Sequence, residues 1–206
     1  MDKFTRLSAA ACPIDAANVN TDQIIPARFL KRSRASGFGP MLFHDLRFDA
    51  DGKERPGFPL NQPHWREAKI VVAARNFGCG SSREGAVYAL SDYGVRVVIA
   101  PSVGDIFAGN AVQNGVVTAT VTDEEAAEIM AALKRTPELP LTVDLEQQTI
   151  LCGNRTFHFS IDSVRRTKLI NGWDDISMTE SYRDRIAAFK TQDRTRRPWS
   201  VPPGGT

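Results

Sequence analysis

The feature of this sequence that most restricts its fold is a pair of apolar runs, residues 69–74 and 95–100, with a stretch of helical spacing between them at residues 82–92. Ile70-Val71-Val72-Ala73 in the first run reads as a buried strand, and so does the second run. Two strands flanking one helix make a βαβ unit, which almost always crosses over right-handed and sets its strands parallel. The loop leaving the first strand then lies at the carboxyl edge of a sheet, where open α/β sheets bind ligands.

The other segments extend this pattern. Residues 102–111 predict a short helix and residues 116–121 a strand. Thr122-Asp123-Glu124-Glu125 opens a helix through Leu133, with Thr122 as its N-cap and Glu125 completing a capping box. Residues 141–145, 149–152 and 155–159 read as short strands, the last two forming a hairpin at Gly153-Asn154. Helical stretches near residues 163–169 and 179–190 close the fold, and the expected class is α/β with strands inside and helices outside. A chain of 206 residues has room for one good core, so a single domain is expected over residues 1–190. Residues 191–206, basic and then rich in Pro and Gly, are expected to form a mobile tail.

Composition narrows the function. The net charge of +2 is too small to argue for nucleic acid and remains compatible with small anionic substrates. The N-terminal residues lack a signal peptide's apolar region, and no apolar run approaches the roughly 20 residues of a membrane span, so a cytoplasmic location is expected. Cys12, Cys79 and Cys152 stand far apart, outside any C-x-x-C arrangement, so any metal is expected to come from elsewhere. His44, His64 and His158 are equally scattered and read as surface or structural residues.

The chemistry points to Asn76-Phe77-Gly78-Cys79-Gly80-Ser81-Ser82-Arg83-Glu84, which leaves the first strand of the βαβ unit. Gly78 and Gly80 let the backbone approach a ligand, and Ser81, Ser82 and Arg83 are expected in the first turn of the following helix. Free N–H groups and the helix dipole there favour an anion, and two hydroxyls with a guanidinium can hold one carboxylate. A plainer reading stands beside it, in which a serine only caps the helix and Arg83 pairs with a surface acid. Nucleotide sites fail on the letters: a dinucleotide fingerprint needs glycine where Arg83 stands, and a P-loop needs Gly-Lys-Ser/Thr.

These residues resemble a known family. The glycine-rich motif, preceded by Asn18-Val19-Asn20-Thr21-Asp22-Gln23-Ile24-Ile25-Pro26-Ala27-Arg28-Phe29-Leu30, is similar to the small-subunit family of 3-isopropylmalate dehydratases. Leu60-Asn61-Gln62-Pro63, the stretch from Tyr93 to Ser102 and the stretch from Leu169 to Ile176 match in the same order across nearly the whole chain. The resemblance implies a swivelling β/β/α domain, like the mobile fourth domain of aconitase, closing over a large subunit that carries a [4Fe–4S] cluster. It implies a heterodimer or heterotetramer active only as a complex, with no cofactor held by this chain. The reaction implied is conversion of 2-isopropylmalate to 3-isopropylmalate by dehydration and rehydration, in leucine biosynthesis.

By the same resemblance Ser81 is the proton-abstracting base, and Ser82 and Arg83 bind substrate carboxylate. An unassisted serine is a poor base, so its alkoxide needs the helix N-terminus and Arg83. Residues 18–30 resemble a strand and loop bordering the substrate, with Thr21 and Asp22 orienting polar groups; a turn with Asp22 as a local cap is the plain alternative. The loop from Arg28 to Arg34 is mobile in the family and helps to choose the substrate's side group, which makes Phe29 and Leu30 candidates beside an isopropyl group. Subunit contact is the other role open to that loop.

Two departures accompany the match. Gly85 stands where the family usually has His, and residues 106–115 carry smaller side chains than the family form. These leave room for a paralogue acting on another substituted malate, such as methylmalate or homocitrate. A protein of a different class, binding an anion without catalysis, is opposed by the intact Ser81, Ser82 and Arg83.

Overall fold

The structure is a computed structural model and describes residues 1–200. Its frame is a seven-stranded sheet in the order β4-β3-β2-β1-β5-β6-β7. The strands are β1 (Arg6–Ile14), β2 (Ile70–Ala73), β3 (Val97–Ala100), β4 (Val117–Thr120), β5 (Pro140–Asp144), β6 (Thr149–Cys152) and β7 (Arg155–His158). Helices α1 (Thr21–Ile24), α2 (His44–Arg47), α3 (Glu84–Tyr93), α4 (Asp105–Gln113), α5 (Asp123–Arg135) and α6 (Ser163–Asn171) complete the first unit.

β1 joins two kinds of sheet. Its second half pairs parallel with β2, from Ala11 opposite Ile70 to Ile14 opposite Ala73, and β2, β3 and β4 continue parallel. Its first half pairs antiparallel with β5, after which β6 and β7 follow as a meander. The β2-α3-β3 unit is the βαβ arrangement the apolar runs predict. Successive residues of β2 serve opposite faces: Val71 and Ala73 pack with α3 residues such as Ala86 and Leu90, whereas Ile70 and Val72 pack with Ile129 and Leu133 of α5. Because both faces are covered, the parallel strands are apolar throughout rather than alternating.

Several local expectations hold for their stated reasons. The Thr122 hydroxyl accepts from the Glu125 N–H at 3.1 Å, and the Glu125 carboxylate accepts from the Thr122 N–H at 2.8 Å. β6 and β7 form the hairpin around Gly153, which takes φ of +62°.

The chain divides into two compact units, Met1–Gly172 and the residues from Trp173 onward. The sequence reading placed the domain end at residue 190. The second unit contains α7 (Asp175–Glu180) and α8 (Arg183–Arg196), so the expected helix at 179–190 is two helices, the first capped by Asp174 through the Ser177 N–H at 2.7 Å. Of the tail at 191–206, residues 191–196 continue α8, a 3₁₀ turn spans Pro198–Ser200, and 201–206 lie outside the described residues.

Candidate active site

Three loops meet at the carboxyl ends of β1, β2 and β3, and the glycine-rich loop is the middle one. The Gly78 N–H donates to Val19 O at 2.7 Å and the Thr21 N–H donates to Cys79 O at 2.9 Å on one side. On the other side, the Phe77 N–H donates to Ser102 O at 3.1 Å and the Gly104 N–H to Phe77 O at 2.9 Å. Asn18 and Asn76 both take left-handed backbone, with φ of 56° and 63°, and Asn76 Nδ2 donates to Asn18 Oδ1 at 2.8 Å. Asparagine tolerates that conformation better than most residues, so two of them can turn adjacent chains together.

The loop then needs glycine at two places. Gly78 and Gly80 have φ of +69° and +94°, and a side chain on Gly78 would also run into the Phe107 ring. The result is a cleft of about 330 Å³ lined by Thr21, residues 78–83 and residues 104–107.

One expectation is corrected here. Ser81, Ser82 and Arg83 do not occupy the first turn of α3: the helix begins at Glu84, and Arg83 is its N-cap with extended backbone, φ −139° and ψ 101°. After the left-handed turn at Gly80 the next three residues line the cleft before the chain coils. Neither serine caps the helix, and Arg83 makes no side-chain cap, so the first N–H groups of α3 are left to other partners. The same is true of α4, whose N-cap is Gly104. Two helix N-termini without side-chain caps therefore border one cleft, an arrangement that favours an anion.

The other candidates divide. Thr21 is buried, and its hydroxyl donates to Ser81 O at 2.8 Å, fixing the loop across 60 residues of sequence. Asp22 pairs with the Arg83 guanidinium. It is not the local cap: Asn20 caps α1, its side chain accepting from the Gln23 N–H at 2.9 Å while the Gln23 side chain accepts from the Asn20 N–H at 2.9 Å. The strand expected within residues 18–30 reduces to one isolated bridge, Asn20 opposite Cys79, followed by α1 and a 3₁₀ turn, Ala27–Phe29.

Phe29 and Leu30 do not line the cleft. The Phe29 ring lies 4.9 Å from that of His44 with Arg28 over it, and Arg28 pairs with Asp45. Leu30 reaches α3 instead: a Cβ on Gly85 would stand 2.7 Å from Leu30 Cδ2. The space where the resemblance leads one to expect a histidine is taken by a leucine methyl. The loop continues to Asp92 near the end of α3, which accepts two bonds from Arg34 and one from the Phe38 N–H at 2.7 Å.

The sequence reading missed residues 104–107 as cleft residues. They are separated from the glycine-rich loop by α3 and β3, and the parallel pairing of β2 with β3 brings the two together. None of the three histidines lines the cleft. Among the described residues no group of three or more His, Cys, Asp or Glu side chains is placed to hold a metal ion. Cys12 and Cys152 are buried, and burial pushes both thiols up, which opposes the thiolate an iron–sulfur cluster needs. This chain's own residues therefore do not fit such a cluster. No helix among the described residues is long and apolar enough to cross a membrane.

A curled mixed sheet with a cleft at its parallel strand ends is the architecture of an aconitase-type swivel domain. A family model described as Aconitase C-terminal domain matches residues 1–124, and a second, LeuD_N, matches residues 127–163. A protein of Rhodospirillum centenum named 3-isopropylmalate dehydratase small subunit is 46% identical over 202 residues, 98% of this chain and 100% of the relative. One of the same name from Paramagnetospirillum magneticum is 44% identical over 97% of this chain and 100% of its own length. A crystal structure of 3-isopropylmalate dehydratase (LeuD) from Methanocaldococcus jannaschii superposes with a TM-score of 0.63 at 25% identity, covering 90% of this chain and 99% of that one. The chain belongs to the family of 3-isopropylmalate dehydratase small subunits.

Proposed function

We propose that the chain works in the cytoplasm as the small subunit of a 3-isopropylmalate dehydratase, a hydro-lyase that isomerises 2-isopropylmalate to 3-isopropylmalate in leucine biosynthesis. The observation that carries this reading is the assembly of Thr21, Ser81, Ser82 and Arg83 in one cleft between two N-termini without side-chain caps, in a chain of this family. The large subunit completes the site in a heterodimer or heterotetramer, and a [4Fe–4S] cluster held by that subunit would supply a Lewis acid for the hydroxyl group.

On this chain the reaction requires a proton to leave the carbon beside a carboxylate. That carbon is a weak acid, and its deprotonation pushes charge into the carboxylate. Arg83 and Ser82 hold the carboxylate, where a cation and preorganised donors act most strongly as the charge develops. Ser81 takes the proton. Its backbone is held by Thr21, so the hydroxyl is presented from a fixed loop. Asp22 orients Arg83 through an ion pair with one guanidinium nitrogen, which leaves other guanidinium donors for substrate.

Near-full-length relatives bearing one name weigh against the paralogue acting on another malate. The test is turnover: purified chain mixed with a cluster-loaded large subunit is expected to form 3-isopropylmalate, while neither chain does so alone. Activity of the mixture on homocitrate or methylmalate in its place would overturn the reading.

A further inference from the structure

The second compact unit, from Trp173 onward, contains α7 and α8, and neither helix has a buried residue. In α8, which is 14 residues long, every residue but Asp193 is exposed. A free helix of that length is marginal in water, since most helices in proteins owe their stability to an apolar face that packs. α8 has such a face. Ile186 and Ala187 form one wall of a groove of about 540 Å³, and α7, with Ile176, forms the other. Beside the groove stand Tyr182 and Phe189, which share Ile186 with it in a second hollow. Ile176 is 70% exposed and Phe189 61%, so both present apolar surface that this chain leaves uncovered.

We propose that this face binds a second copy of the chain in a two-fold contact. Two separate features fit the face to itself. The first is shape: an aromatic ridge stands beside an apolar groove, so under a two-fold axis the Phe189 ridge of each copy enters the groove of the other. The second is charge. α7 carries Asp175 and Glu180 and no Lys or Arg, whereas α8 carries Arg183, Arg185, Lys190, Arg194 and Arg196 against Asp184 and Asp193. The groove walls therefore differ in sign, with Glu180 on the α7 side and Arg183 and Lys190 on the α8 side. The same axis sets the acidic helix of one copy against the basic helix of the other. Within one copy the Glu180–Arg183 pair is exposed, at 60% and 76%, so exchanging it for a pair between copies costs little. In the proposed complex the contact joins two small subunits, each with its own large subunit, and so selects the heterotetramer over the heterodimer. The contact does not depend on the reaction assigned to the cleft, and its failure would leave that reading standing.

The experiment measures the molar mass of the full chain by sedimentation over a concentration series, alone and with the large subunit. The unaltered chain is expected to pass from monomer to dimer as its concentration rises, and the complex to hold two copies of each subunit. F189D, which would put a carboxylate into an apolar groove, is expected to weaken dimerisation about 30-fold or more. It should leave a one-to-one complex whose turnover stays within about 2-fold of the unaltered one. E180K and K190E are each expected to weaken the dimer and together to restore it, because the two charges exchange partners across the axis. All three residues are exposed, so these variants remove little packing from the chain itself. A chain that is monomeric at every concentration, a dimer that F189D leaves intact, or a double variant no better than its singles would overturn the proposal. So would F189D weakening attachment to the large subunit in place of self-association.

Discussion

Arg83, which lines the cleft, forms an ion pair with Asp22, 61 residues away in the chain. The guanidinium side chain is 19% exposed and the carboxylate 54%, so the arginine is held in the wall while its partner faces water. With its carboxylate open to water the pair adds little to stability, and its role here is direction: it fixes where the remaining guanidinium donors point. D22A is expected to lower kcat/KM of the reconstituted complex by about 10-fold or more, since a misplaced substrate clamp is costly. The melting temperature should stay within about 2 °C of the unaltered chain. An unchanged rate would show that Asp22 does not position Arg83.

The contact between Gly85 and Leu30 gives a second expectation. Replacing a helical glycine by alanine normally stabilises by up to about 1 kcal/mol. Here the new methyl would stand 2.7 Å from Leu30 Cδ2, and Leu30 is 36% exposed, so its side chain can swing away at some cost. G85A is therefore expected to be nearly neutral alone and stabilising in an L30A background, as measured by chemical denaturation of the four variants of the cycle. The same gain in both backgrounds would mean that Leu30 does not fill the space left by the glycine.

How much of this was legible beforehand varies with how local the cause was. The β2-α3-β3 unit was readable because its strands are unbroken apolar runs and its helix keeps its spacing, and the capping box at Thr122 because both bonds lie within four residues. β1 was not read at all. Its sequence, Arg-Leu-Ser-Ala-Ala-Ala-Cys-Pro-Ile, has a single β-branched residue at its end and no aromatic residue, so little in it marks a strand, and it is extended because β2 and β5 pair with it from either side. The start of α3 was read two residues early, since the left-handed turn at Gly80 overrides the preference of the serines. The cleft residues 104–107 were hidden for a different reason: nothing in a sequence says which loop a distant strand will bring alongside.

Asp92 ties the loop after Leu30 to the end of α3 by accepting from Arg34 and from the Phe38 N–H. The loop expected to be mobile therefore has a specific anchor in this chain. D92A is expected to raise the hydrogen-exchange rate of the Phe38 amide by about 10-fold or more, with little change in β2 or β3. Equal exchange in both proteins would show that the loop is held by its apolar contacts alone.

At the other end of that loop, hydrogen bonding from Arg28 holds the Asp45 carboxyl at about 2, below its ordinary 3.8. A carboxylate depressed on folding contributes stability above its unfolded value, and that contribution is lost as pH falls toward 2. Both side chains are about half exposed, so solvent weakens the effect on stability, and the clearer readout is a side-chain NMR titration. Asp45 is expected to titrate near 2 in the unaltered chain and close to the ordinary carboxylate range in R28A. A midpoint that does not move on removing Arg28 would contradict the assigned cause.

The central claim is that the loop from Asn76 to Arg83 contributes the base to an active site completed by another subunit. S81A in the reconstituted complex tests it most directly, because Ser81 is half of that claim and the rest of the cleft remains in place. Turnover of 2-isopropylmalate is expected to fall at least about 100-fold, the scale of a lost general base, while the two subunits still co-elute at the same size. Near-normal turnover by an intact S81A complex would contradict the account.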